Sequence, residues 1–338
     1  LGPLAYCELK LRMTATYSRT PQNIRPFDVR RDLLPVADLV EICFADRLSR
    51  EGKALVRKMR SSARNKRFKR WAVRSAGRVS MPITGLVWEE RDALIGNLSF
   101  IPFRFSRRKY YLIANVAVHP NHQRRGIGRS LVQKALQDLR RKKNPDIWLQ
   151  VDEGNQAALY LYHQTGFQAM AKRTTWELDP LTLKQAVSTF DAPLGRIKRR
   201  PFRHWNLQKS WLKKAYPENI HWYFPLRLWS LRGGFLSDFA EIFWDVPQSR
   251  QWSAILSSGE VAGVITWQSS SKYTERLWLA SPPDQVDVAL KTFFPTLLQR
   301  HPFRRILRLN YPAGWAVSTL EDVGFTPART LIWMRWQG

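Results

Sequence analysis

From Pro35 to Met59 the apolar residues Val36, Leu39, Val40, Cys43, Phe44 and Leu48 recur at helical spacing, which predicts an amphipathic helix with its polar face outward. The pattern then changes period. Ile83–Trp88 and Ala93–Ile101 read as two strands joined by the polar turn Glu89–Asp92. Tyr110–Val118 is more continuously apolar, as suits a central strand covered on both faces. Pro120 stops it, a polar, glycine-bearing loop comes next, and helical spacing returns over Ser130–Leu139. Next come a strand at Ile147–Val151, a helix at Gln156–Gln164, the turn Thr165-Gly166-Phe167 and a strand near Arg173–Leu178. Strands with interposed helices predict an α/β or α+β sheet domain.

Pro180 to about Leu226 has a different texture. Pro193, Pro201, Pro217 and Pro225 interrupt it, and Arg196, Lys198, Arg199 and Arg200 form a basic knot, so a linker with one short helix is expected. The last third repeats the first element order. Trp252–Leu256 and Val261–Trp267 form a hairpin, then Leu277–Ala280, a helix at Val286–Leu298, a strand at Ile306–Leu309, a helix at Ala316–Asp322 and a strand at Thr330–Trp336. Val151 to Gly166 and Leu309 to Gly324 are each fifteen residues apart, with Phe167 and Phe325 next in line. An internal duplication accounts for this economically. The expected partition is a tail over 1–22, a first domain over 23–182, a linker over 183–225 and a second domain over 226–338.

Length and composition refine the picture. The 338 residues suit two domains, and no apolar run approaches the length of a membrane-spanning helix. The first 22 residues lack the pattern of a secretory signal, Met13 is a candidate start, and Cys7 and Cys43 form no CxxC pair, so a cytoplasmic protein without a metal site is expected. Fifty-five basic against 27 acidic side chains give +28, which attracts anions. Residues 53–78 hold eleven Lys or Arg and no acid, interleaved with Phe68 and Trp71. Two readings stand for that segment: a surface for an acidic or nucleic-acid partner, or a solvated basic helix.

The most informative stretch runs Val116-Ala117-Val118-His119-Pro120-Asn121-His122-Gln123-Arg124-Arg125-Gly126-Ile127-Gly128-Arg129, a strand leading through a basic loop into a helix. Glycines let the backbone approach a ligand closely, and unpaired amides with the helix dipole attract phosphate. Gln123-Arg124-Arg125-Gly126-Ile127-Gly128 resembles the Q/R-x-x-G-x-G/A signature of the GNAT superfamily of acetyl-CoA-dependent N-acetyltransferases. Asn155, Ala158, Leu161, Tyr162, Gly166 and Phe167 resemble the family's second signature, N-x-x-A-x-x-L-Y-x-x-x-G-F, at the usual distance downstream. The resemblance is strong over roughly 24–180 and weak over 226–338. It implies a mixed, mostly antiparallel central sheet flanked by helices, in two tandem copies. It also implies that the amides of 124–129 hold the pyrophosphate of acetyl-CoA, that Val116–Val118 pairs with the pantetheine arm, and that Asn155 contacts the cofactor. Asn155 is equally placed as a helix N-cap.

By the same resemblance Tyr162 is the general acid that reprotonates the CoA thiolate. Relatives in the ribosomal-protein and amino-terminal acetylating branch carry a glutamate base where this chain has Gln150. Asp152, two residues on and on the same strand face, is the candidate that assists deprotonation, with His119 or Glu153 acting through water as alternatives. In the second copy Ser281-Pro282-Pro283-Asp284-Gln285-Val286-Asp287 replaces the phosphate loop, and Leu320 and Ala313 stand where Tyr162 and Asn155 stand in the first. That copy is expected to be degenerate. The leading function is acetyl transfer from acetyl-CoA to a primary amine by direct attack in a ternary complex, with neither cysteine near the motifs and the acceptor open. The alternative is a basic nucleic-acid- or ribosome-associated protein that uses the fold as a binding module.

Overall fold

The computed structural model describes residues 23–48, 50–142, 145–179, 194–224, 228–232, 248–270, 273–301 and 303–338. The expected tail with Cys7 and Met13, and residues 183–193 of the expected linker, lie outside them. The chain clusters into two compact units, Leu1–Ile101 with Ile113–Pro145, and Pro102–Leu112 with Asp146–Gly338.

Strands β1 (Ile24–Pro26), β2 (Thr84–Glu90), β3 (Ala93–Phe105) and β4 (Arg108–Val118) are successive neighbours in the sheet. β1–β2 and β2–β3 pair antiparallel, in registers such as Ile24↔Trp88 and Thr84↔Phe100. Arg91 and Asp92 take φ of 49° and 61°, a two-residue turn whose twist matches the strands it joins.

The helix expected over 35–59 is broken in two. α1 (Leu33–Phe44) ends in a 3-10 turn at Ala45–Arg47, Leu48 is extended, and α2 (Arg50–Arg64) starts afresh. The break has a packing reason: one straight helix would carry Val56 and Met59 away from Val36, Ala37 and Val40, whereas the bent pair buries all five in one core with Val87. α3 (Lys66–Ser75) comes directly after, its first turn capped by Asn65, whose Oδ1 accepts from the amides of Arg67 and Phe68 at 2.9 and 3.1 Å. The basic 53–78 segment is therefore two amphipathic helices whose apolar stripe (Val56, Met59, Ala63, Ala72) is buried. α4 (Ile127–Arg140) buries Ile127, Leu131, Val132 and Leu139. Gly96 on β3 lets it approach, since a Cβ there would lie 3.0–3.2 Å from Trp88, Ile127 and Leu131.

The second unit contains β5 (Asp146–Asp152), α5 (Gln156–Gln164), β6 (Phe167–Leu178), β7 (Gly195–Arg199), α6 (Trp205–Ala215), β8 (Ser249–Leu256), β9 (Val261–Ser269), β10 (Thr274–Ala280), α7 (Val286–Arg300), β11 (Ile306–Pro312), α8 (Val317–Asp322) and β12 (Thr326–Trp336). Its strands lie in the order β5-β12-β6-β11-β10-β9-β8-β7, antiparallel except for the parallel pair β10–β11. This is the mixed, mostly antiparallel sheet expected. The two β-α-β runs, β5-α5-β6 and β11-α8-β12, exchange their last strands. β12 pairs with β5 (Trp333↔Gln150, Leu331↔Asp152), β6 pairs with β11 (Thr175↔Asn310), and β6 and β12 pair with each other (Thr174↔Thr330).

Residues 195–224, expected to be linker, form β7 and α6 and bury Trp211, Leu212, Tyr216 and Ile220. The prolines that suggested a linker cap short 3-10 turns after Pro201 and Pro217 instead. Trp278, Phe293, Phe294 and Phe325 share the core with Trp211, Leu212 and Tyr216.

Candidate functional site

β4 delivers the chain to the basic loop through a local irregularity. Asn115, inside the strand, has φ of 51°, and the buried Asn97 side chain donates to its carbonyl at 2.9 Å. A left-handed non-glycine residue in a strand disrupts the ladder and re-aims the residues after it, here Val116, Ala117 and Val118. Both asparagines lie outside the sequence motifs; the signal for them is a polar residue within each of two apolar strand runs. The His119 amide then bonds to the Ile95 carbonyl at 2.8 Å, and Gln123 Nε2 reaches back to the Val118 carbonyl at 3.1 Å.

The turn into α4 uses two left-handed residues, Arg124 (φ 61°) and Gly126 (φ 77°). Gly126 caps the helix with no side-chain hydrogen bond, so the first-turn amides of Ile127, Gly128 and Arg129 have no helical acceptor and face outward. No atom lies within 4 Å of where a Gly126 Cβ would stand. Open space, outward amides, a helix dipole and the exposed Arg124 and Arg129 suit a pyrophosphate. The three arginines differ, however. Arg125 Nη2 donates to both Glu90 oxygens at 2.9 and 3.1 Å and Nη1 meets His122 Nδ1 at 2.7 Å, so its charge is already matched. The Trp88 indole N–H, then Arg125, holds the Glu90 carboxyl below its ordinary range against the opposing effect of desolvation.

One expectation is corrected here. Cys43, distant from the motifs in sequence, lies with Sγ 3.3 Å from the Val118 carbonyl, because α1 packs on the sheet at the end of β4. Burial raises its thiol pKa and keeps it protonated, which makes it a poor nucleophile.

In the second unit, Asn155 is the N-cap of α5. Its Oδ1 accepts from the Ala158 amide at 3.1 Å. Tyr162 is buried, edge-on to Phe167 with centroids 5.9 Å apart, and burial raises its phenol pKa. Its neighbour Tyr160 is 69 % exposed, so the structure separates the two tyrosines cleanly.

Each residue considered as a base is already engaged. Asp152 Oδ1 accepts from the Gly154 amide at 3.1 Å and Oδ2 lies 3.2 Å from Arg329 Nε. Glu153 is ion-paired with Lys172, and His119 Nδ1 accepts from the Asn121 amide at 3.3 Å. Gln150 lines one cavity with Tyr223 and stands opposite Trp333 in the β5–β12 register. Arg329, Trp333 and Tyr223 were not anticipated, because strand exchange and the 216–224 segment bring them from far along the chain. In the expected degenerate loop, Ser281 is buried and its Oγ donates to the Ala262 carbonyl at 2.6 Å, and Gln285 Nε2 donates to Glu260 at 2.8 Å.

Residues 59–167, from within α2 through both motifs, match the sequence model of the acetyltransferase (GNAT) family. Over that stretch the chain is similar to the GNAT family. Among curated relatives, the [Ribosomal protein bS18]-alanine N-acetyltransferase of Escherichia coli K12 is 36% identical over 62 residues, 18% of this chain and 42% of that protein. The L-methionine sulfoximine/L-methionine sulfone acetyltransferase of Salmonella typhimurium LT2 is 33% identical over 88 residues, 26% of this chain and 52% of that protein. The chain thus spans about half the length of the curated relatives it matches. Among solved structures, a GCN5-related N-acetyltransferase from Sphaerobacter thermophilus superposes with a TM-score of 0.54 at 14% identity, covering 94% of this chain and 96% of that one. At that identity the likeness concerns the fold. Nothing in these comparisons supports a nucleic-acid partner for the basic helices. No helix among the described residues is long and apolar enough to cross a membrane.

Proposed function

We propose that this protein is an N-acetyltransferase that moves the acetyl group of acetyl-CoA to a primary amine by direct attack in a ternary complex. The observation that carries the reading is the loop–helix junction at 123–129, with Gly126 left-handed, its Cβ direction empty and three outward amides at the head of α4. Its roles are pyrophosphate binding by the amides of 124–129, helped by Arg124 and Arg129, and pantetheine pairing by Val116–Val118. Asn155 shapes the start of α5 and contacts the cosubstrate.

Acetyl-CoA supplies an activated thioester, and the protein supplies orientation and protons. Tyr162, held protonated by burial, donates to the departing thiolate. Asp152 assists deprotonation of the amine, which requires Arg329 to release one of its oxygens. The second copy, with Leu320 and Ala313 at the positions of Tyr162 and Asn155, serves packing and acceptor recognition. Curated relatives whose names specify a protein alanine, a methionine analogue or, in the peptidyl-lysine N-acetyltransferase YiaC, a lysine support an amine acceptor without choosing among them.

The test is thiol release from acetyl-CoA across an amine panel with the wild-type chain, beside acetyl-CoA-dependent thermal stabilisation. Stabilisation together with release on at least one amine is the expected result. No stabilisation at saturating acetyl-CoA overturns the reading, and salt-steep nucleic-acid retention without turnover favours the binding module.

A further inference from the structure

A cavity of about 190 Å³ opens on one face of the second unit's sheet. Strand register sets its floor. Gln150 on β5 is opposite Trp333 on β12, Thr175 on β6 is opposite Asn310 on β11, and Arg308 on β11 is level with Arg276 on β10. Five neighbouring strands thus contribute one band of side chains, with Tyr223 and Phe224 standing against it. Phe224 packs at 5.9 and 6.2 Å from the Trp333 and Trp278 rings.

The wall is apolar and aromatic, but its charges do not balance. Arg308 is matched by Glu177, which its Nε meets at 2.9 Å. Arg173, buried at 2 % exposure behind Asn310, has only neutral acceptors: Asn310 Oδ1 at 2.5 Å, the Asn310 carbonyl at 2.8 Å and the Ala215 carbonyl at 2.6 Å. Arg276 lies over the Trp278 ring, 5.6 Å from its centroid, and pairs with no carboxylate among the described residues. No lining residue is acidic. Two lining guanidinium groups, with Arg173 buried behind them, therefore meet one carboxylate in a partly desolvated space, where an unmatched cation is costly and a bound anion offsets that cost. An arginine fork above aromatic walls fits a carboxylate attached to an apolar group.

The geometry points to this cavity as the pocket for the carboxylate and apolar side chain of the acceptor, making the acceptor an amine of the amino-acid class. The inference rests on the acetyl-transfer reading in one respect: Gln150, at the position of the relatives' glutamate, lines the same cavity and ties it to the amine end of the substrate. Arg276 is the specificity-determining residue of the pocket.

The test separates the two readings. Fluorescence of the wild-type chain, whose Trp278 and Trp333 form the wall, is titrated without acetyl-CoA with N-acetyl-L-leucine, with its amide, and with inorganic phosphate. The expected result is at least tenfold tighter binding of the acid than of the amide or phosphate, with the preference reduced to about one in Arg276→Gln. Equal binding of acid and amide, binding of neither, or tighter binding of phosphate overturns the assignment, and the wild-type comparison stands whether or not the variant folds. Acid-selective binding without thiol release on any amine leaves the pocket standing and removes acetyl transfer. Thiol release with equal kcat/KM on leucine and leucinamide leaves acetyl transfer standing and removes the pocket.

Discussion

Replacing Gly126 by alanine separates backbone strain from ligand exclusion. At φ of 77° an L-residue pays roughly 1–2 kcal/mol for the left-handed conformation. With nothing within 4 Å of the new Cβ, no steric cost is added within the protein. For a domain of this size that strain lowers Tm by about 2–8 °C. Gly77 provides the control, since it has φ of 72°, is equally open around its Cβ and lies outside the loop. Gly77→Ala should lose a comparable amount of stability. The two variants diverge when acetyl-CoA is added at about a hundred times its Kd, which should stabilise the wild type and Gly77→Ala by about 2.7 kcal/mol. In Gly126→Ala the methyl projects into the space assigned to the pyrophosphate, so most of that gain disappears. Differential scanning fluorimetry over an acetyl-CoA titration reads both effects. A full acetyl-CoA shift in Gly126→Ala would refute the placement of the phosphate at this helix end, whatever its activity.

Other parts of the molecule carry their own expected outcomes. Tyr162→Phe should lower kcat by about a hundredfold or more while leaving the acetyl-CoA thermal shift intact, and an unchanged kcat removes Tyr162 as proton donor. Arg124→Gln should weaken acetyl-CoA binding more than Arg125→Gln, because Arg125 is held by Glu90; calorimetry at low and high salt reads the difference, which should shrink with salt. Tyr311→Phe should be neutral or stabilising by about 1 kcal/mol at pH 8, since its hydroxyl is buried without a hydrogen-bond partner; a clear drop in Tm would show a bond that the structure lacks. Burial raises the phenol pKa of Tyr162 and Tyr311, and pushes that of Tyr216 up to about 12. The unfolded chain then loses these protons first, so stability falls as pH rises above the ordinary phenol value of about 10, and Tyr311→Phe should flatten that fall in melts between pH 9 and 11.

Much of the local structure was legible because it is encoded by neighbours in sequence. The β2–β3 hairpin comes from alternation and a polar turn, α5 from its asparagine cap and apolar spacing, and the 123–129 loop from glycine spacing after an apolar strand. What escaped is encoded by partners far apart. The break between α1 and α2 exists because their apolar stripes bury each other, a relation that periodicity along one helix cannot show. Trp333 beside Gln150 and Arg329 beside Asp152 depend on which strand β12 chooses, and the short pattern Thr330–Trp336 fits several edges equally well. The 195–224 stretch misled through its prolines and charges, although Trp205, Leu212 and Ala215 at helical spacing signalled burial. For the candidate site, the motifs pointed to the 123–129 loop and Tyr162, and the arginine-rich cavity was hidden because its walls come from five strands.

The exchange of last strands also bears on how the chain is made. β12 begins 148 residues after the end of β6, yet it lies between β6 and β5. At about 5–20 residues per second, translation leaves those two strands waiting roughly 10–30 s for their shared neighbour. Open strand edges invite pairing with another nascent chain. Molecules on one polysome are therefore at risk of trading β12 with each other, and slow synthesis or crowded expression should raise the yield of interlocked dimers.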